Sequence, residues 1–252
     1  DFLLIYSRWD VRRIWKRIER WLRHVPEPGW PCHVLSNHDQ PRSVTRFGGD
    51  GNALRRARVA ATLLLTLRGT PFIYYGEEIG MSNARVPRRR IRDPLGKRYW
   101  PLFPGRDPAR TPMQWSSDEN AGFTRGNVWL PVHPGYRDVN VEIDLADRYS
   151  MLNHYKSLIA LRKRKKALSH GEIVPLLKGE RHCIAYMRRH ETELIFVVMN
   201  FSDRAVRIDL GERAQWKVIS STHRFINEHF TSLRLKVAPF EASILECIGC
   251  LD

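Results

Sequence analysis

The chain has 252 residues, 42% of them hydrophobic and 10% aromatic, which supports one large core or two moderate ones and excludes a disordered polymer. No apolar run approaches the roughly 18 residues a membrane-spanning helix needs, so no membrane partner is expected. The formal net charge of +15 raises a nucleic-acid reading, but the basic clusters at 8–23, 85–110 and 162–166 carry no nucleic-acid motif and read as solvated faces of a basic protein.

Asp1-Phe2-Leu3-Leu4-Ile5 has neither the basic flank nor the cleavage site of a signal peptide, and no initiating Met precedes it. The chain is expected to be cut from something longer, and a cytoplasmic location follows only from the missing signals. Val11, Ile14, Trp15, Ile18, Trp21, Leu22 and Val25 recur at helical spacing and predict an amphipathic helix over 8–24, stopped by Pro26-Glu27-Pro28-Gly29. His33-Val34-Leu35 reads as a short buried strand. A second helix runs from Ala53 to Leu67, and Gly69-Thr70-Pro71 ends it. Phe72-Ile73-Tyr74-Tyr75 is the next strand, closing at Gly76-Glu77-Glu78. A loop rich in Pro, Gly and Arg spans 80–147, and Met151, Leu152, Tyr155, Leu158 and Ile159 mark a third helix. This alternation points to parallel strands with crossover helices, and residues 1–168 read as the last part of a larger (β/α) barrel.

Residues 169–252 read differently. Seven short strands, at 172–176, 181–188, 193–200, 204–209, 215–220, 231–237 and 239–246, are separated by turn signals such as Gly179-Glu180 and predict an all-β antiparallel sandwich. Of the four cysteines, Cys247 and Cys250 have a CxxC spacing. No second pair or histidine at zinc spacing accompanies them, so neither metal nor redox chemistry is assigned.

Side chains at the C-terminal ends of barrel strands build the active site. Asn37-His38-Asp39-Gln40 stands at one such end and Glu77-Glu78 at the other, with the 80–147 loop leaving the same face. Its Trp100, Phe103, Arg110 and Trp115 suit a substrate-facing lid. A cluster of donors and acceptors fits a polyhydroxylated ligand, and a carboxylate beside a reacting sugar carbon would stabilise an oxocarbenium-like transition state. On spacing alone, a polar strand-to-loop junction explains the same residues equally well. For Glu77 and Glu78 a buried structural role is favoured over a catalytic pairing with Asp39.

Leu35-Ser36-Asn37-His38-Asp39-Gln40-Pro41-Arg42 resembles the fourth signature region of the α-amylase superfamily, glycoside hydrolase family thirteen. Gly69-Thr70-Pro71-Phe72-Ile73-Tyr74-Tyr75-Gly76-Glu77-Glu78-Ile79-Gly80-Met81 resembles its seventh. Gly105-Arg106-Asp107-Pro108-Ala109-Arg110-Thr111-Pro112-Met113-Gln114-Trp115 is similar to the loop after the last barrel strand in α-glucosidases and oligo-1,6-glucosidases, and Ala238 to Leu245 resembles the close of their C-terminal sandwich. The resemblance covers essentially the whole chain and implies the C-terminal part of a (β/α)8 TIM barrel followed by that sandwich. It implies that Asp39 is the transition-state-stabilising aspartate, that His38 and Arg110 bind the sugar, and that Asn37, Gln40 and Arg42 support or flank the site.

The family's nucleophile, an aspartate, and its general acid, a glutamate, follow the fourth and fifth barrel strands, and no segment here resembles either. The resemblance therefore implies a retaining α-glucosidase for short α-linked gluco-oligosaccharides, present as a fragment that is inactive alone. No cofactor or metal is expected on these residues; the calcium of some relatives would belong to the N-terminal half. The near alternative is a transglycosylating relative of trehalose synthase or sucrose isomerase type. A non-catalytic carbohydrate- or protein-binding module is a further class, against which the Asn37-His38-Asp39 set argues.

Overall fold

The computed structural model describes residues 2–25, 28–177 and 180–250. The helix stop at Pro26-Glu27 and the turn at Gly179 lie outside the described residues, as does the side chain of Cys250. In chain order the elements are α1 (Phe2–Ile5), α2 (Val11–His24), β1 (Cys32–Val34), α3 (Ser43–Phe47), α4 (Ala53–Thr66), β2 (Thr70–Phe72), α5 (Pro94–Tyr99), α6 (Val141–Ala146), α7 (Met151–Arg164), α8 (Lys166–Ser169) and strands β3 (Glu172–Pro175), β4 (Cys183–His190), β5 (Glu193–Asn200), β6 (Val206–Ser221), β7 (His229–Val237) and β8 (Ala242–Cys250). The expected order of helix, strand, helix, strand, long loop and helix is present, but the second strand runs over Thr70–Phe72, the stretch read as a helix breaker, and not over Phe72–Tyr75; β1 and β2 pair in a two-stranded sheet. Among the described residues no helix is long and apolar enough to cross a membrane.

The chain divides into two compact units. The first comprises Asp1–His33, Arg58–Pro71 and Ser157–Asp252. Its helix α2 starts where the Asp10 carboxylate accepts the Arg13 N–H at 2.8 Å, an N-cap that satisfies one of the orphan donors of the first turn. Val11, Ile14, Trp15 and Ile18 form its buried stripe, and Trp15 stacks on Tyr186 with ring centroids 5.7 Å apart. The C-terminal end of α4 is closed by two arginines. Arg162 donates to Leu65 O at 2.9 Å and to Leu67 O at 3.0 Å. Arg188 donates to Thr66 O, to Gly171 O at 2.8 Å and to Glu172 O at 3.3 Å. A helix leaves its last carbonyls without partners, and a guanidinium fork can serve several at once. Arg162, expected on a solvated face, is thus a helix cap. Burial lowers Arg188 to about 9.

The same unit holds one six-stranded antiparallel sheet of order β3-β4-β5-β8-β6-β7. Residues from β4 (Cys183, Ala185, Met187) and from β7 at the far edge (Leu233, Leu235, Val237) share one core with Phe196, Trp216 and Leu245. The sheet must curl for its two ends to meet in this way, which gives a sandwich-like layer from a single sheet. Strands expected at 204–209 and 215–220 are one strand, β6. Gly211, at φ +65°, sits where the register with β7 slips between Asp209 and Arg213, so a bulge stands where a break between two strands was expected.

The second unit, Val34–Ala57 with Phe72–Lys156, contains the long loop. It has little regular structure but two apolar nuclei of its own. Ile79, Met81 and Met113 form one, and Val86, Ile91 and Leu130 form the other, with Trp100 packed against the latter. Polar side chains order the rest: Asn140 caps α6 by accepting from Ile143 N at 2.9 Å, and its amide donates to Tyr136 O at 2.8 Å.

Candidate functional site

The site lies in the second unit, where the turn after β1 meets residues 105–111. The Asn37 side-chain oxygen accepts the backbone N–H groups of Asp39 at 2.9 Å and Gln40 at 3.0 Å, an Asx turn that fixes the backbone on which Asp39 stands. The Asp39 carboxylate is part-exposed. Its Oδ1 accepts from Arg110 Nη2 at 2.8 Å, with Arg106 Nη1 at 3.4 Å, and its Oδ2 is 3.5 Å from His38 Nε2. Arg110 also donates from Nε to His38 O at 2.8 Å, so one guanidinium holds both a side chain and the backbone beside it.

Asp39, His38 and Arg110, the three residues to which the resemblance assigns sugar contacts, therefore lie side by side. Asn37 shapes the turn and Gln40 follows in it. Arg42 is completely buried: its guanidinium meets the rings of Tyr74 and Tyr75 at 4.9 and 4.5 Å, its Nη1 donates to Tyr75 O, and its backbone N–H donates to Asn83 at 2.9 Å. Arg42 thus packs against Tyr74 and Tyr75 and is closed off from solvent. Gly76, at φ +84°, is what lets it sit there, since a Cβ would come within 2.9 Å of Arg42 Nη1 and 2.7 Å of Met81 Sδ.

Glu77 is also buried, accepting from Tyr74 N at 3.2 Å and from the Ser36 hydroxyl. Burial pushes its carboxyl up to about 7, and burial raises Glu78 as well. Glu77 lies in the interior and Glu78 is half-buried. Of the lid aromatics, Trp115 and Phe103 are exposed and Trp100 is tied into the loop's own core.

Sequence reasoning missed Arg106 and its anchor. Asp93 is buried and accepts from Arg106 through Nη2 at 2.9 Å, Nε at 3.0 Å and the backbone N–H at 2.7 Å. Those bonds hold the Asp93 carboxyl down at about 2. Asp107, buried beside it, accepts the N–H groups of Arg92 at 2.6 Å and Asp93 at 2.9 Å. The charge of Arg106 is thereby matched by Asp93, while Arg110 is matched by Asp39. Residues 93 and 106 are 13 apart in a loop without periodicity, and no sequence pattern flags that pair. Among the described residues no group of three or more His, Cys, Asp or Glu is arranged to hold a metal ion.

A part-exposed carboxylate held by a guanidinium, with a histidine beside it, can exchange hydrogen bonds with hydroxyl groups and can offset positive charge developing next to it. Comparison with known proteins shows the family. Residues 6–171 match the α-amylase catalytic domain and residues 175–244 the C-terminal domain of maltogenic amylase. The chain belongs to the α-amylase family, glycoside hydrolase family thirteen, as a C-terminal half of such an enzyme.

It is 36% identical to an oligo-1,6-glucosidase of Parageobacillus thermoglucosidasius over 94% of this chain and 47% of that protein. It is 36% identical to a trehalose-6-phosphate hydrolase of Bacillus subtilis over 86% of this chain and 42% of that one. Among solved structures, an isomaltulose synthase of Klebsiella sp. LX3 superposes with a TM-score of 0.85 at 30% identity, covering 97% of this chain and 50% of the other. An isomaltulose synthase mutant of Erwinia rhapontici NX5, solved with sucrose, superposes with a TM-score of 0.85 at 29% identity, over 97% of this chain and 49% of that one. The chain thus spans about half the length of the relatives it matches.

Proposed function

We propose that this chain supplies the sugar-holding half of a retaining α-glucosidase that acts on short α-linked gluco-oligosaccharides. The observation that carries the reading is the Asp39 carboxylate, open to solvent and held at 2.8 Å by Arg110. In the proposed reaction a carboxylate elsewhere in the protein attacks the anomeric carbon, a carboxylic acid protonates the departing oxygen, and water then releases the sugar from the covalent intermediate. Asp39 stabilises the oxocarbenium-like charge in both steps, and His38 and Arg110 hold sugar hydroxyls. The nucleophile and the acid are residues this chain does not supply in our reading, so it is expected to be inactive alone.

The similarity to isomaltulose synthases supports a second reading, in which the same intermediate is intercepted by a sugar hydroxyl instead of water. The test is hydrolysis of p-nitrophenyl α-glucoside by the chain alone and by the polypeptide extended upstream in its reading frame. Activity in the extended protein that disappears in Asp39→Ala supports the proposal. Activity in the short chain contradicts the assigned division of labour. Conversion of sucrose to an isomer without net release of glucose moves the assignment to transfer.

A further inference from the structure

The peptide that carries Arg110 is gripped on both sides. Tyr74 donates its hydroxyl to Ala109 O at 3.0 Å, and Tyr75 donates its hydroxyl to Thr111 O at 2.7 Å. The two tyrosines are consecutive, their ring centroids lie 4.7 Å apart, and the carbonyls they bind immediately flank Arg110. Behind both rings lies the buried Arg42 guanidinium, which also donates to the carbonyl of Tyr75. Arg42 follows Asp39 by three residues, so one packed group joins the backbone of the carboxylate to the backbone of its arginine.

We infer that Tyr74 and Tyr75 are positioning residues that set the Arg110 guanidinium on Asp39, with Arg42 as the buried post against which both rings rest; this rests on the glucosidase reading given above. Two features favour a positioning role over simple loop packing. First, the Tyr74 hydroxyl holds the peptide between Ala109 and Arg110, and the Tyr75 hydroxyl holds the carbonyl of the next residue, Thr111, so the backbone is tied on both sides of Arg110. A loop held only by packing would need neither oxygen. Second, a side chain that reaches Asp39 through one Nη and His38 O through Nε has two fixed targets, so a small rotation of its backbone breaks both bonds together. Burial raises the Tyr74 phenol well above its ordinary range, which keeps it protonated and donating across neutral pH.

The test uses the upstream-extended polypeptide with Tyr74→Phe and Tyr75→Phe, each of which removes one oxygen and leaves the ring against Arg42. Arginine labelled with 15N reports the Arg110 Nε–H, assigned by its absence in Arg110→Lys. The expected result is faster solvent exchange of that proton in both variants, with a thermal midpoint close to that of the parent. Alongside it, kcat/KM on p-nitrophenyl α-glucoside should fall about five- to tenfold per lost hydrogen bond. That loss should vanish in an Arg110→Ala background, where there is nothing left to position.

Unchanged Nε–H exchange in both tyrosine variants overturns the inference, as does an activity loss that persists undiminished in the Arg110→Ala background. If one variant fails to fold, the other carries the same test through the opposite flank. If the parent cleaves no α-glucoside while the exchange still responds, the proposed function falls and the clamp stands.

Discussion

Arg110 donates to Asp39 at 2.8 Å across 71 residues of sequence, and both ends of that contact are anchored before a ligand arrives. Asp39 stands on the Asx turn made by Asn37, and Arg110 on the peptide held by Tyr74 and Tyr75. On the glucosidase reading proposed above, preorganisation of this kind would place the electrostatic contribution to catalysis in the protein rather than in the substrate's binding energy.

Asp39→Asn in the upstream-extended polypeptide should lower kcat by roughly 10²–10³, the loss typical of a charge-stabilising group at a reacting centre. The thermal midpoint should move little, since ion pairs between part-exposed groups add little stability. Arg110→Lys should cost about tenfold, because an ammonium cannot reach Asp39 and His38 O together. Steady-state kinetics and a melting curve on the same preparations check both statements.

Arg188→Leu should destabilise the chain by about 3 kcal/mol or more, because Thr66 O, Gly171 O and Glu172 O lose their shared donor inside the protein. Arg188→Lys should recover only part of it, because the ammonium lacks the fork. Urea midpoints read the difference.

The pH dependence of stability has two opposed contributions. Glu77 moves from 4.5 in the unfolded chain up to about 7 when folded, so between those values the folded state binds more protons and stability falls as pH rises. His33, whose Nε2 lies 2.9 Å from Arg68 O, moves the other way, from 6.5 down to about 4 through burial. The unfolded state then binds more protons, and stability rises over that window. Each contribution is of order 3 kcal/mol, since a tenfold change in proton affinity is worth about 1.4 kcal/mol. They nearly cancel from pH 4.5 to 6.5. Glu77→Gln should therefore unmask a gain in stability from pH 4 to 6.5, and His33→Gln a loss from 4.5 to 7, in urea titrations across that range.

Gly105→Ala should disturb the Arg106 anchor. The residue sits at φ +78°, and a Cβ there would lie 2.8 Å from Asp93 Oδ2 and from Gly96 Cα. Strain of about 1–3 kcal/mol is expected, with kcat/KM falling together with the midpoint. Asp93→Asn, which replaces one accepting oxygen with a donor facing Arg106 or a backbone N–H, should lower both activity, through Arg106, and the midpoint.

Much of this is legible in the sequence because it is periodic or local. The stripe Val11, Ile14, Trp15 and Ile18 announces α2, and the run after Ala53 announces α4. The Asp39 motif reads at once because its residues are adjacent. What stays hidden depends on chain returning from a distance. Nothing in Tyr74-Tyr75 says that the phenols reach residues 109 and 111, and nothing in Asp93 says that Arg106 comes back to it. The basic run beginning at Arg162 reads as a solvated helix end, because burial against α4 is set by packing and not by composition. The break read between 209 and 215 is a register shift inside one strand, with Gly211 at positive φ within it.

The two arginines that close α4 have a consequence for synthesis. The helix ends at Thr66, but its capping groups arrive much later: Arg162, 97 residues on from the Leu65 O it binds, and Arg188, 122 residues on from Thr66 O. Over that whole interval on the ribosome the last turn of α4 has only water for its carbonyls, and the apolar face from Val59 to Leu65 must wait with it. A ribosome that stalls before residue 188 would therefore present an unfinished helix end to chaperones and proteases, and messages shortened within this window should yield chains that are degraded, not folded.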